Sequence, residues 1–137
     1  EGRRSLIDLI MQASRRSYSV LLVEDNADVV ALFTRYMMSE GFRCIAATDS
    51  AEAYDRIVEY RPDAIVLDVM MRKMDGWELL QRIKTDPSHR DIPVVICSVL
   101  DEQELATSLG ADAYLRKPVR PAELIECLLK LCRSHSA

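Results

Sequence analysis

Three apolar runs in this chain end abruptly on ionisable or hydroxyl side chains. Val20-Leu21-Leu22-Val23 runs into Glu24-Asp25, Ala64-Ile65-Val66-Leu67 into Asp68, and Val94-Val95-Ile96-Cys97 into Ser98. A shorter run, Ala113-Tyr114-Leu115-Arg116, ends on Lys117-Pro118. Short, unalternating apolar runs read as strands buried on both faces, the mark of a parallel sheet. With the run around 42–47 they predict five strands, at about 19–24, 42–47, 63–68, 92–97 and 112–116.

Between the strands the apolar period lengthens to that of a helix. Val30, Phe33 and Met37 share one face, as do Tyr54, Ile57 and Val58, Leu80 with Ile83, and Leu124, Ile125, Leu128 and Leu131. Helices are therefore expected at about 27–39, 50–60, 76–86, 101–109 and 121–133. Asp49-x-x-Glu52, Asp75-x-x-Glu78 and Asp101-x-x-Glu104 each place an acceptor at the N-cap and an acid three residues on. Pro121 suits the first turn of the last helix. Gly41 and Gly110 fall just past helix ends, where a left-handed residue is wanted. Five βα repeats with short loops imply an α/β fold, a doubly wound five-stranded parallel sheet with helices on both faces.

Residues 1–17 stand apart as an N-terminal extension. Leu6, Leu9, Ile10 and Ala13 fall at helical spacing, with Arg15-Arg16-Ser17 as a junction. Two readings remain open there, a linker helix from an upstream segment or a helix that mediates dimerisation. The chain starts at Glu1 rather than Met, the pattern expected of a fragment or a trimmed chain. Residues 134–137 read as a short tail.

Composition narrows the function. The chain has 137 residues, 49% hydrophobic and 29% charged, as expected of a soluble globular domain. No apolar stretch approaches the roughly 20 residues that span a bilayer, and no signal-peptide pattern is present. The net charge is −4, although residues 1–16 carry four Arg against Glu1 and Asp8. The acidic remainder, without a basic patch, is a poor nucleic-acid binder. The cysteines, Cys44, Cys97, Cys127 and Cys132, form no Cys-x-x-Cys pair; the first three sit in apolar contexts and read as buried thiols of a reducing cytosol.

The strand ends carry the chemistry. In an open α/β sheet the functional crevice lies outside the carboxyl ends of the strands. In the order 2-1-3-4-5, strands one and three flank the topological switch point, so Glu24 and Asp25 would lie close to Asp68. Carboxylates so gathered repel unless a cation compensates. Oxygen donors of this kind suit Mg²⁺. Asp68 could act as nucleophile toward a phosphoryl group, Lys117 could neutralise a phosphoryl oxygen, and Ser98 offers a hydroxyl. The bland alternatives are a loop acid at Asp68, a dipole-favoured helix start at Glu24-Asp25-Asn26, and an exposed Lys at position 117. The Lys117-Pro118 bond is a candidate for the cis form.

Val-Glu-Asp-Asn (23–26), Leu-Asp-Val-Met-Met (67–71), Met-Asp-Gly-Trp-Glu-Leu-Leu (74–80), Ser98 and Gly-Ala-Asp-Ala-Tyr-Leu-Arg-Lys-Pro (110–118) occur in this order. Together they resemble the receiver domain of two-component response regulators, the CheY-like superfamily with its flavodoxin-like (βα)5 fold. The resemblance covers residues 18–133. It implies a phosphorylation-dependent signalling switch in a phosphorelay. Asp68 would accept a phosphoryl group from a phosphohistidine on a histidine kinase or phosphotransfer domain. Asp25, Asp68 and the Met70 carbonyl would bind Mg²⁺ directly, with Glu24 acting through water. Lys117 would contact the phosphoryl oxygens and Ser98 would move to hydrogen-bond them. Tyr114 would turn inward with Ser98; read by itself it is a half-buried strand aromatic. The face of helix four, strand five and helix five would then signal to an output domain or effector. Such a domain is no conventional enzyme, although it catalyses its own phosphoryl transfer and slow autodephosphorylation. The resemblance also implies a cytoplasmic protein with no membrane insertion and no direct nucleic-acid binding.

Three positions depart from the pattern. Arg72 stands where Pro is common, Val99 where Ala or Gly is common, and Met70 cannot orient a water. Rival readings fit less well. A small-molecule-binding flavodoxin-like domain would need a Gly- or Ser/Thr-rich phosphate loop in place of Glu24-Asp25-Asn26. A phosphatase of the Asp-nucleophile type would need an Asp at Met70. A degenerate receiver, a phosphorylation-independent interaction module, is opposed by the intact Asp25, Asp68 and Lys117.

Overall fold

The computed structural model describes Leu6, residues 17–71 and residues 75–135. Most of the N-terminal extension and the Arg72-Lys73 pair therefore lie outside the described residues. Strands β1 (Ser19–Val23), β2 (Arg43–Ala47), β3 (Ala64–Asp68), β4 (Val94–Ser98) and β5 (Ala113–Arg116) alternate with helices α1 (Ala27–Ser39), α2 (Ser50–Tyr60), α3 (Gly76–Thr85), α4 (Gln103–Ser108) and α5 (Pro121–His135). The sheet order is β2-β1-β3-β4-β5 and every pairing is parallel. This is the doubly wound fold expected from the repeats.

Two cores follow from the period of the strands, because successive side chains point to opposite faces. Leu21, Val23, Ile65, Leu67, Val94 and Ile96 pack with Ala53 and Ile57 of α2, Leu79, Leu80 and Ile83 of α3, and Ala106 of α4. Their neighbours Val20, Leu22, Ala64, Val66, Val95 and Cys97 pack with Phe33 and Met37 of α1 and Leu124, Ile125, Leu128 and Cys132 of α5. The central strands are buried on both sides, so they tolerate no polar residue until they emerge from the sheet. That is why the apolar runs stop where the crevice begins.

Local chemistry sets the helix ends. Asn26 Oδ1 accepts from the N–H groups of Asp28 (2.9 Å) and Val29 (3.2 Å) and starts α1. Asp49 accepts from Glu52 N–H (2.8 Å), while the Glu52 carboxylate reaches back to Thr48 N–H (2.7 Å), one residue before the cap. Asp75 caps α3 through Trp77 and Glu78. Gly41 and Gly110 adopt φ of 89° and 96°, as expected past helix ends.

Some expectations need correction. The cap proposed at Asp101 is not used: α4 starts at Gln103, with Glu102 at its N-cap and no side-chain cap bond. The reason is tertiary, since Glu102 N–H donates to the Tyr114 hydroxyl (3.1 Å) and holds that residue outside the helix. Val58 does not share the buried face of α2; it is 61% exposed, and Ala53 fills the core beside Ile57. Among the expected buried thiols only Cys97 is buried, whereas Cys44 and Cys127 are half-buried and Cys132 is buried. Burial pushes the Cys97 thiol up to about 12, which leaves it inert.

Candidate functional site

The carboxyl ends of β1 and β3 lie side by side, with Val23 opposite Leu67. The acids that follow are thereby brought together. Carboxylate oxygens of Glu24, Asp25 and Asp68 all lie within 4.8 Å of one another. Glu24 and Asp68 are buried, at 3% and 6% exposure, and Asp25 is exposed. The cluster thus has a buried floor and an open side.

Lys117 closes the cluster from the end of β5. Its Nζ donates to Glu24 Oε1 (3.1 Å) and to Asp68 Oδ2 (3.3 Å). The second oxygen of each acid is held by backbone. Asn26 N–H donates to Glu24 Oε2 (3.1 Å), and Met70 N–H to Asp68 Oδ1 (2.9 Å). The Lys117-Pro118 bond is cis.

The electrostatics are unbalanced. Burial raises the Glu24 pKa above its ordinary value; the Asn26 N–H bond opposes this, and the nearby Asp68 adds to it. The Lys117 ion pair should lower it, yet burial outweighs that attraction. Burial also pulls on the Lys117 ammonium, but the Asp68 and Glu24 carboxylates more than compensate and its pKa is raised. The ammonium pairs with two of the three carboxylates, Glu24 and Asp68. An all-oxygen donor set of three acids with one open side fits a hard divalent cation.

Ser98 and Tyr114 belong to the neighbouring loop. Ser98 is fully buried at the end of β4, its Oγ accepting from Leu100 N–H (3.1 Å) and its carbonyl from Lys117 N–H (2.8 Å). The half-buried Tyr114 donates its hydroxyl to the Leu100 carbonyl and accepts from Glu102 N–H. Met70, whose N–H donates to Asp68, is 52% exposed. Two participants escaped the sequence reading. Asn26 supplies an N–H to Glu24, for which an Asx residue ahead of a helix was the available signal. Arg116 donates Nε–H to the Val99 carbonyl (3.0 Å), and nothing in the sequence distinguishes it from any strand-end cation.

The response regulator receiver domain model matches residues 20–129, and the chain belongs to that family. Receiver domains are the phosphorylation-controlled switches of two-component systems. The chain is 36% identical over 130 residues to the transcriptional regulatory protein PrrA of Mycobacterium leprae, a match that covers 93% of this chain and 55% of PrrA. The chain thus spans about half the length of the curated relatives it matches. Among solved structures, the receiver domain of a signal transduction histidine kinase from Syntrophus aciditrophicus superposes with a TM-score of 0.80 at 26% identity, covering 86% of this chain and 92% of that one. A CheY-like receiver domain protein from Methanospirillum hungatei shares the fold, with a TM-score of 0.80 at 21% identity over 88% of this chain and 97% of that one. No helix among the described residues is long and apolar enough to cross a membrane.

Proposed function

We propose that residues 18–133 form a phosphorylation-operated switch in which Asp68 is the phosphoacceptor. The observation that carries this reading is the Asp68 carboxylate, buried at the end of β3, paired with Lys117 and crowded by Glu24 and Asp25. A lone buried loop acid would need neither the ammonium nor the other two acids.

One Asp68 oxygen attacks the phosphorus of a phosphohistidine on a histidine kinase or phosphotransfer domain. An acyl phosphate O–P bond forms, the N–P bond breaks, and the imidazole leaves to take up a proton. Lys117 pairs with the phosphoryl oxygens as they arrive. Asp25, Asp68 and the Met70 carbonyl would hold Mg²⁺, with Glu24 acting through water, and the ion would supply positive charge against the phosphoryl oxygens. Ser98 and Tyr114 form the switch. Phosphorylation adds dense charge and strong acceptor oxygens beside the β4–α4 loop, and the Ser98 hydroxyl binds them better in one loop arrangement than another. The α4-β5-α5 face then changes for an output domain or effector protein. Ala113 stands where DNA-binding relatives of one large class carry an acid, so this chain lacks one side chain of the dimer they form through this face.

The deciding experiment is labelling with acetyl phosphate or a phosphorylated kinase in the presence of Mg²⁺. Wild type should take up label that is lost in Asp68→Asn. Equal labelling of the mutant overturns the assignment, whereas a wild type that takes up no label favours the interaction-module reading.

A further inference from the structure

Three successive carbonyls, of Ser98 at the end of β4 and of the two residues after it, are each held by a residue of β5 or the one after it. The Ser98 carbonyl accepts from Lys117 N–H at 2.8 Å, the Val99 carbonyl from Arg116 Nε–H at 3.0 Å, and the Leu100 carbonyl from the Tyr114 hydroxyl. The first of these is a backbone bond at the end of the β4–β5 ladder, where Ser98 pairs with Arg116. The third belongs to the proposed switch. The middle one is a side-chain bond from an exposed residue. It is the only one of the three that a side-chain change can remove without touching Tyr114 or the sheet.

We infer that Arg116 is a positioning residue that latches the Val99 peptide and so sets access to Asp68. This inference rests on the reading of Asp68 as phosphoacceptor. Asp68 lies opposite Cys97 in the β3–β4 register. Val99, two residues beyond Cys97, therefore stands at the rim of the same crevice, with 54% exposure. Its own side chain packs too little to hold its peptide in place. The peptide that carries this carbonyl has its N–H, that of Leu100, tied to Ser98 Oγ at 3.1 Å, and Arg116 ties its carbonyl at 3.0 Å. The guanidinium has donors to spare beyond Nε–H, so the latch does not compete with a cation's ordinary hydration. A latched Val99 keeps its isopropyl group at the rim, where it narrows the approach of small phosphodonors and of hydrolytic water. Without the Arg116 bond one of the ties on this segment is lost, and Val99 holds that position less of the time.

The test uses the whole 137-residue chain with acetyl phosphate, Mg²⁺ and a phosphate-release assay, on wild type, Arg116→Ala, Arg116→Lys, Val99→Ala, the Arg116→Ala/Val99→Ala double variant and Asp68→Asn. Arg116→Ala should speed both labelling and phosphate release by about two- to tenfold, the rate equivalent of one hydrogen bond. Arg116→Lys keeps a donor and should return toward wild type. Val99→Ala should be faster by itself, and adding Arg116→Ala to it should change nothing further, since the latch acts only through Val99. A general loosening of the fold would instead add in full to the Val99→Ala effect, and that additivity would overturn the latch. So would unchanged rates in Arg116→Ala. Label retained by Asp68→Asn overturns the phosphoacceptor reading and the latch with it, whereas normal loss of label there with an inert Arg116→Ala removes the latch alone.

Discussion

Lys117 reaches back 49 residues to place its Nζ 3.3 Å from Oδ2 of Asp68. The side chains are 20% and 8% exposed, so this is a partly buried ion pair. Such a pair must be separated or shared whenever another charge arrives at Asp68. The ammonium is thus in position to transfer its contact to an incoming phosphoryl group.

Replacing Lys117 should separate the metal and phosphoryl roles. Lys117→Ala leaves Glu24 and Asp68 facing each other without a counter-charge, which should cost about 1–3 kcal/mol of folding stability in chelator. Mg²⁺ should recover more of that loss than it adds to wild type. Labelling of Asp68 should slow by about 100-fold, as for loss of one charge stabiliser in a protected site. Urea melts with and without Mg²⁺, beside labelling time courses, check both. Normal labelling in this variant would refute the role.

Asp25 is the exposed member of the carboxylate cluster and the natural point of cation entry. Asp25→Ala should weaken Mg²⁺ by at least about tenfold, because the proposed direct oxygen ligand is gone. Trp77, in the first turn of α3 just after the Asp75 cap, offers a fluorescence readout. Where its emission is silent, calorimetry decides. Undiminished affinity would remove Asp25 from the metal site.

Gly76 is required by close approach. A Cβ there would sit 2.4 Å from the Val69 Cα, a backbone atom that cannot step aside. Val69 immediately follows Asp68. Gly76→Ala should therefore destabilise the fold by about 1–3 kcal/mol, as overpacking does, and should slow labelling by displacing the segment that carries Asp68, the proposed acceptor. Thermal melts give the first quantity. An unshifted melting temperature would mean that the α3 start yields freely.

A cluster remote from the crevice should govern part of the pH dependence of stability. Asp86 accepts from Ser88 N–H and pairs with His89 and the Tyr54 hydroxyl. The Ser88 bond chiefly lowers its pKa below the ordinary 3.8. A depressed carboxylate stabilises the fold above its unfolded value and loses that contribution as pH falls through the folded one. Burial, with Asp86 adding to it, raises the Tyr54 pKa above its ordinary 10.0. That contribution is complete below pH 10.0 and is lost as pH rises through the folded value. Asp86→Asn should flatten the acid limb of the stability profile and Tyr54→Phe the alkaline limb. Urea midpoints measured across pH test each limb separately.

The amino-acid sequence by itself determined the architecture and most of the cluster. Parallel strands buried on both faces leave an uninterrupted apolar run, and its end marks the crevice, so Glu24, Asp25, Asp68, Ser98 and Lys117 could be read from position alone. The Asp49 and Asp75 caps were equally legible, because a cap is a contact between residues two or three apart. Tertiary structure decided what depends on distant partners. The start of α4 moved from Asp101 because Tyr114, on another strand, holds Glu102 N–H. Val58 turned to solvent because the packing of α2 on the sheet chose the face that carries Ala53 and Ile57. The raised pKa of Glu24 and the tie from Arg116 to Val99 likewise exist only once β1, β3, β4 and β5 lie side by side. Period and capping are local properties of a chain, whereas desolvation and cross-strand hydrogen bonds belong to neighbours that the sequence does not place until it folds.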